Sequence, residues 1–116
     1  IHAHNNQQCA FANTIESYDL NAKMLDATYY GMGRGAGNCH LEALLGYFNG
    51  KKYHVEPVLD LVGSDLLALK DQEPTWGYNT SYLITGLANS HPRDALAATK
   101  KHDVDFVEQY KFQFYK

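Results

Sequence analysis

The spacing of apolar residues changes period three times in the first fifty positions. Ile1-His2-Ala3-His4 reads as the end of a β-strand, with both histidines on one face because side chains two apart in an extended chain project to the same side. Phe11, Ile15, Tyr18 and Ala22 then recur at spacings of three and four, with Glu16, Asp19 and Lys23 elsewhere on the wheel. This predicts an amphipathic helix from about Cys9 to Lys23. Leu25, Ala27 and Tyr29 alternate with Asp26, Thr28 and Tyr30, the period of a second strand rich in β-forming residues. After the glycine-rich run Gly31-Met32-Gly33-Arg34-Gly35-Ala36-Gly37-Asn38, helical spacing returns at Leu41, Leu44, Leu45 and Phe48. Asn38 suits the N-cap of that helix, and Asn49-Gly50 its C-terminal stop.

Two successive βα units predict a parallel sheet, since parallel strands need a crossover helix. Two strands cannot bury both faces of such a sheet, and no strand pattern follows Lys51, so the sheet is expected to continue outside this chain. The remainder reads helical. Pro57 in a first turn precedes Val58, Leu59, Val62, Leu66 and Leu69, and Pro74 closes that region. A turn at Trp76-Gly77-Tyr78-Asn79 leads into Tyr82, Leu83 and Ile84, Pro92 opens a short helix through Ala98, and Val104, Val107 and Tyr110 keep helical spacing in a last segment.

Composition narrows the function classes. The chain has 116 residues, 45% of them hydrophobic, enough for one domain and too few for two ordinary ones. No stretch approaches the roughly 18 apolar residues of a membrane span. A formal charge of -3 with scattered Lys and Arg gives no electrostatic case for nucleic acid. Cys9 and Cys39, with no apolar signal segment ahead of them, read as buried, inert thiols of a reduced, cytoplasmic protein.

The chemistry gathers at two places. His2 and His4 can reach one cation from a rigid strand edge, and the carboxamides of Asn5 and Asn6 follow directly. The glycine run lets the backbone approach a ligand closely, yet it lacks the Lys-Ser/Thr of a phosphate-binding loop and the full dinucleotide fingerprint. Both segments fall at the C-terminal ends of successive parallel strands, the edge that carries ligand sites in α/β folds. His40, His54, His91 and His102 are scattered, with no carboxylate at ligand spacing, and read as surface or capping residues.

Taken together, His2-Ala3-His4-Asn5-Asn6 and Gly31-Met32-Gly33-Arg34-Gly35-Ala36-Gly37-Asn38 resemble a metallolyase family of TIM barrels. The family includes 3-hydroxy-3-methylglutaryl-CoA lyase, the 2-isopropylmalate synthases and 4-hydroxy-2-oxovalerate aldolase. Ala12-Asn13-Thr14-Ile15, Leu25-Asp26-Ala27 and Asn38-Cys39-His40-Leu41-Glu42 look like segments of the aldolase-like branch. The resemblance is specific over residues 1–50 and weaker beyond. It implies that 1–50 form the last two βα units of a TIM (β/α)8 barrel and that 51–116 form a helical extension packing on it. Gln7-Gln8-Cys9 depart from the glycine or small apolar residue that the family carries there, which implies a different substrate pocket.

The resemblance also implies a divalent metal, Mn²⁺ or Mg²⁺, held by His2, His4 and Asn38, with the remaining ligand and the general base on strands outside this chain. The implied substrate is a small-molecule 2-oxo acid, whose carbon–carbon bond breaks or forms through a metal-stabilised enolate. Asn5, Gly33, Arg34 and Gly35 are the implied substrate-binding residues. Tyr78 and Tyr82 match the family's Gly-Tyr-x-x-x-Tyr segment, Tyr82 better, and are the implied catalytic residues. The fragment alone is expected to be inactive. Possible partners are a second copy or a partner dehydrogenase, with no nucleic acid and no membrane. Two alternatives stay open: a non-catalytic helical module for dimerisation or docking, and an acyl-CoA condensing synthase of the isopropylmalate synthase type.

Overall fold

A computed structural model describes residues 1–50, 52–73, 75–100 and 103–115. The expectations at Pro74 and His102 lie outside the described residues. Helix α1 spans Ala10–Asp19, a 3-10 turn Tyr29–Gly31 and α2 Leu41–Tyr47. Then come α3 (Glu56–Leu61), a π-helical turn (Val62–Leu66), α4 (Leu67–Gln72), α5 (Thr80–Leu87), α6 (Pro92–Thr99) and α7 (Phe106–Phe114). Among the described residues no helix is long and apolar enough to cross a membrane.

The expected strands are present only as isolated pairings, and the hydrogen bonds show why. The Ile1 nitrogen donates to the Met24 carbonyl at 2.7 Å, and Asp26 N–H donates to the Ile1 carbonyl at 2.8 Å. These two bonds form one parallel register, so the two segments start side by side. The chain returning from the glycine loop then wedges between them. Cys39 N–H donates to Ala3, Asn5 N–H to Gly37 and Thr28 N–H to Cys39. The opening segment thereby pairs antiparallel at His4 with Asn38, and Thr28 pairs parallel with His40. Each segment changes partner within three residues, too soon for a ladder to form. A third pairing, Gly35 with Trp76, joins the glycine loop to a region where the sequence pattern shows no strand.

The predicted helix over Cys9–Lys23 is shorter than its periodicity, because Leu20 caps it and Asn21 turns to a φ of 70°. Asn38 is not the N-cap of α2, a role that falls to His40. The Asn38 N–H is already spent on the Gly31 carbonyl, and its side chain turns back to Met32. Proline opens α3 and α6 as expected. Asn79, His91 and Asp105 cap the last three helices through their side chains, so His91 is the capping residue its position suggested.

Two small clusters hold the slab together: Ala10, Cys39 and Leu44 between the opening segment, α1 and α2, and Ala36, Tyr82 and Ala95 between the glycine loop, α5 and α6. The molecule measures 52 × 36 × 16 Å with a radius of gyration of 16.0 Å, against about 13 Å for a compact domain of this size. Leu20 and Met24 remain exposed beside the opening segment.

Candidate metal and substrate site

Residues 1–5 run extended, and the i, i+2 spacing brings the two imidazoles together. The ring centroids of His2 and His4 lie 4.9 Å apart, edge to face at 85°. His2 Nδ1 is 3.3 Å from Asp26 Oδ2. His4 opens onto a cavity of about 470 Å³ whose wall also carries Asn6, Cys9, Asn13, Arg34, Tyr82 and Thr85.

Across the bridge from His4 stands Asn38, which is buried. Its Nδ2 donates to the Met32 carbonyl at 3.0 Å, so the carboxamide oxygen is the atom it can present to a ligand. The carboxamide packs against the bare Cα of Gly33, where a Cβ would collide with it. Gly35, at a φ of 66°, does the same for Tyr82, whose ring fills the space a Cβ would need. Glycine is required here on both counts, left-handed backbone and close approach.

Tyr82 is 5% exposed, and its hydroxyl makes no hydrogen bond to the described residues while not being sealed from solvent. The Asn79 side chain accepts from the Tyr82 N–H at 3.2 Å and so fixes the first turn of α5. Tyr82 and Arg34 also line a second cavity of about 580 Å³, shared with Gly33, Gly35, Trp76 and Tyr78. These two side chains are a partition between the cavities. Trp76 holds the far side, its Nε1 donating to the Tyr30 carbonyl at 3.0 Å while its own carbonyl accepts from Lys70 Nζ. Arg34 is exposed and has no ion pair among the described residues.

Of the residues singled out in the sequence, His4, Arg34 and Tyr82 therefore meet at one cavity. His2 touches His4 but faces Asp26, and Tyr78, 64% exposed, lines the second cavity and not the first. Asn5 has a structural job. Its Oδ1 accepts from the buried Ala10 N–H at 3.1 Å, which secures the start of α1 and ties up the acceptor that substrate binding would use. Cys39 is buried as expected, and burial pushes its thiol above the usual range, a hydrogen bond with Thr14 pulling it partly back. Cys9 is exposed, contrary to expectation, because its Sγ turns outward to the Gln7 carbonyl at 3.3 Å. Asp26 is the residue the sequence reading passed over. Its signal was its place in the second alternating segment, level with the histidines.

Among the described residues no three His, Cys, Asp or Glu side chains gather at metal-ligand spacing. Two imidazoles and a carboxamide oxygen would together offer a mixed nitrogen and oxygen donor set, a chemistry that suits a borderline divalent cation completed by further oxygen ligands.

Comparison with known proteins places these features in context. The HMGL-like family profile matches residues 1–70. An oxaloacetate decarboxylase of Mycobacterium tuberculosis is 39% identical over 76 residues, covering 62% of this chain and 23% of that protein. A 4-hydroxy-2-oxovalerate aldolase of Carboxydothermus hydrogenoformans is 31% identical over 113 residues, covering 90% of this chain and 33% of that protein. A crystal structure of the N-terminal domain of a Bacteroides vulgatus protein assigned as an aldolase superposes with a TM-score of 0.75 at 30% identity, over 85% of this chain and 33% of that one. The chain thus spans a third or less of the length of these relatives.

Proposed function

The chain belongs to the HMGL-like family, and on that footing we propose that it supplies one wall of a metal-dependent carbon–carbon lyase acting on a 2-oxo acid. The observation that carries this reading is the meeting of His4, Arg34 and Tyr82 at one cavity. Residues 1–50 are the last two βα units of a (β/α)8 barrel in this proposal, with the helices from Glu56 onward packed on it. The parallel register at Ile1, the flat shape and the uncovered Leu20 and Met24 all suit a piece that other strands and helices would cover.

His2, His4 and Asn38 would hold Mn²⁺ or Mg²⁺. What such a cation supplies when bound is Lewis acidity, which lowers the cost of negative charge developing on a keto oxygen. The other roles belong to this chain. Arg34 is a positive charge with no ion-pair partner among the described residues, suited to the substrate carboxylate. Tyr82, with its ring clamped against Gly35 and its hydroxyl unspent, is suited to exchange a proton with the substrate hydroxyl. Gly33 and Gly35 line the second cavity and leave room for the Asn38 carboxamide and the Tyr82 ring, so their part in substrate binding is to set those two side chains in place. Tyr78, at the surface of the second cavity, is left with a lesser part.

The test uses the full-length protein with oxaloacetate and a set of 4-hydroxy-2-oxo acids, following pyruvate release. Release that stops with a chelator and returns with Mn²⁺ is expected. Release that is indifferent to the chelator would overturn the reading.

A further inference from the structure

His2 carries a contact that a bare ligand role does not explain. Its Nδ1 lies 3.3 Å from Asp26 Oδ2, while its ring meets that of His4 edge to face at 4.9 Å. His4 has the open cavity in front of it, whereas His2 has a carboxylate. We infer that Asp26 is a positioning residue that fixes the tautomer and orientation of His2, so that its Nε2 is the ring nitrogen offered to a cation. This inference rests on the metal reading above.

The backbone makes the arrangement specific. Asp26 N–H donates to the carbonyl of Ile1, and the Ile1 nitrogen donates to Met24, so the register of the two segments holds the carboxylate level with His2. A one-residue slip would turn Asp26 to the opposite face and bring Leu25 or Ala27 there instead. Both of those pack against the cluster of Ala10, Cys39 and Leu44, which forbids the slip. The carboxylate is exposed, so burial offers no reason for its presence at this place.

An imidazole has one donor and one acceptor nitrogen when neutral. In the proposed arrangement the proton sits on Nδ1, the nitrogen 3.3 Å from the carboxylate, and the lone pair is left on Nε2. A carboxylate behind a ligating histidine sets the ring orientation and raises its basicity as a ligand, and loss of such a partner typically lowers metal affinity about 10- to 100-fold.

The test is made on the full-length protein labelled with ¹⁵N-histidine, with His2 assigned by its loss in His2→Gln. In the metal-free protein the wild-type His2 signal should report the Nδ1–H tautomer. Asp26→Ala should move it to the Nε2–H form, and Asp26→Asn, which keeps an acceptor, should restore Nδ1–H. Titration with Mn²⁺, followed by electron paramagnetic resonance, should show affinity about 10- to 100-fold weaker in Asp26→Ala, with partial recovery in Asp26→Asn. Thermal unfolding should be unchanged, because the Asp26 backbone, not its side chain, carries the fold contacts. A His2 tautomer unaltered by Asp26→Ala overturns the positioning role. Mn²⁺ affinity equal in wild type and His4→Ala overturns the metal reading instead, whatever the tautomer does.

Discussion

Residues 1–50 and the helices from Glu56 onward are assembled by different means. The first region is stitched by backbone hydrogen bonds between segments that are not strands: Asp26 to Ile1, Cys39 to Ala3, Asn5 to Gly37 and Thr28 to Cys39. Most of its buried residues are small, among them Ala10, Thr14, Ala36 and Cys39, with Leu44 the large apolar one. The second region is a run of helices, the last three capped by side chains, that meets the first through Trp76, Tyr82 and Gly86 and through packing of α3 on α2 and of the π-helical turn on the 3-10 turn. Backbone bonding places the first region's side chains to within a register position, and helix packing brings Tyr82 to them from outside. The cavity with His4, Arg34 and Tyr82 exists because the two modes meet at Gly35.

The largest expected effect falls where the regions meet. Tyr82→Phe keeps the ring against Gly35 and removes only the hydroxyl, so kcat for pyruvate release in the full-length protein should fall about 10²- to 10⁴-fold, the usual worth of a positioned proton-transfer group, with the melting temperature held. An unchanged kcat would reduce Tyr82 to packing. Gly35→Val asks the converse question. A side chain in left-handed backbone, driven into the Tyr82 ring, should cost about 3 kcal/mol of unfolding free energy in urea titrations. A loss below about 1 kcal/mol would mean that the two regions part easily.

The modes of assembly should also differ in what an asparagine is worth. Asn5→Ala strands the buried Ala10 N–H and should cost about 1–3 kcal/mol, whereas Asn79→Ala removes an ordinary cap on Tyr82 and should cost about 1 kcal/mol. Equal losses would erase the contrast. The smallest effect concerns the thiols. Cys9 should react with iodoacetamide rapidly in the native protein and Cys39 only on unfolding, read by mass spectrometry. Because the Cys39 thiol is raised in the fold, chiefly by burial, the folded state keeps its proton longer than the unfolded chain. Stability from this group is therefore complete below the usual thiol range and falls as pH rises through it, and Cys39→Ala should flatten that alkaline decline.

Period and punctuation made much of this architecture legible. Pro57 and Pro92, Asn79 before the α5 run, and the i, i+3, i+4 spacing of Phe11, Ile15 and Tyr18 each correspond to a helix seen in the structure. The alternation of Leu25, Ala27 and Tyr29 was real as a pattern but did not become a strand. Alternation reports which face is buried, not how long a partner stays alongside, and the return of residues 37–40 takes the neighbouring hydrogen bonds. Asn38 misled as a cap because local sequence cannot show that its N–H is bonded to Gly31 and its side chain to Met32.

The candidate site divides the same way. The pairing of His2 with His4 follows from strand geometry alone and needs no tertiary information. That Arg34 and Tyr82, 48 positions apart in the chain, share a wall depends on Gly35 having no Cβ, which no periodicity encodes. Asn5 looked like a ligand-binding carboxamide beside the histidines. Its use as a brace for Ala10 is visible only once α1 is seen to begin five residues later.

A divalent cation at the histidine pair is tested most directly by Mn²⁺ binding to the full-length protein. Equilibrium titration followed by the signal of free Mn²⁺ should give one site per chain, weakened more than about 100-fold by His4→Ala and by His2→Ala, since each removes a ligand outright. Mn²⁺ bound with unaltered affinity in both variants would contradict the account.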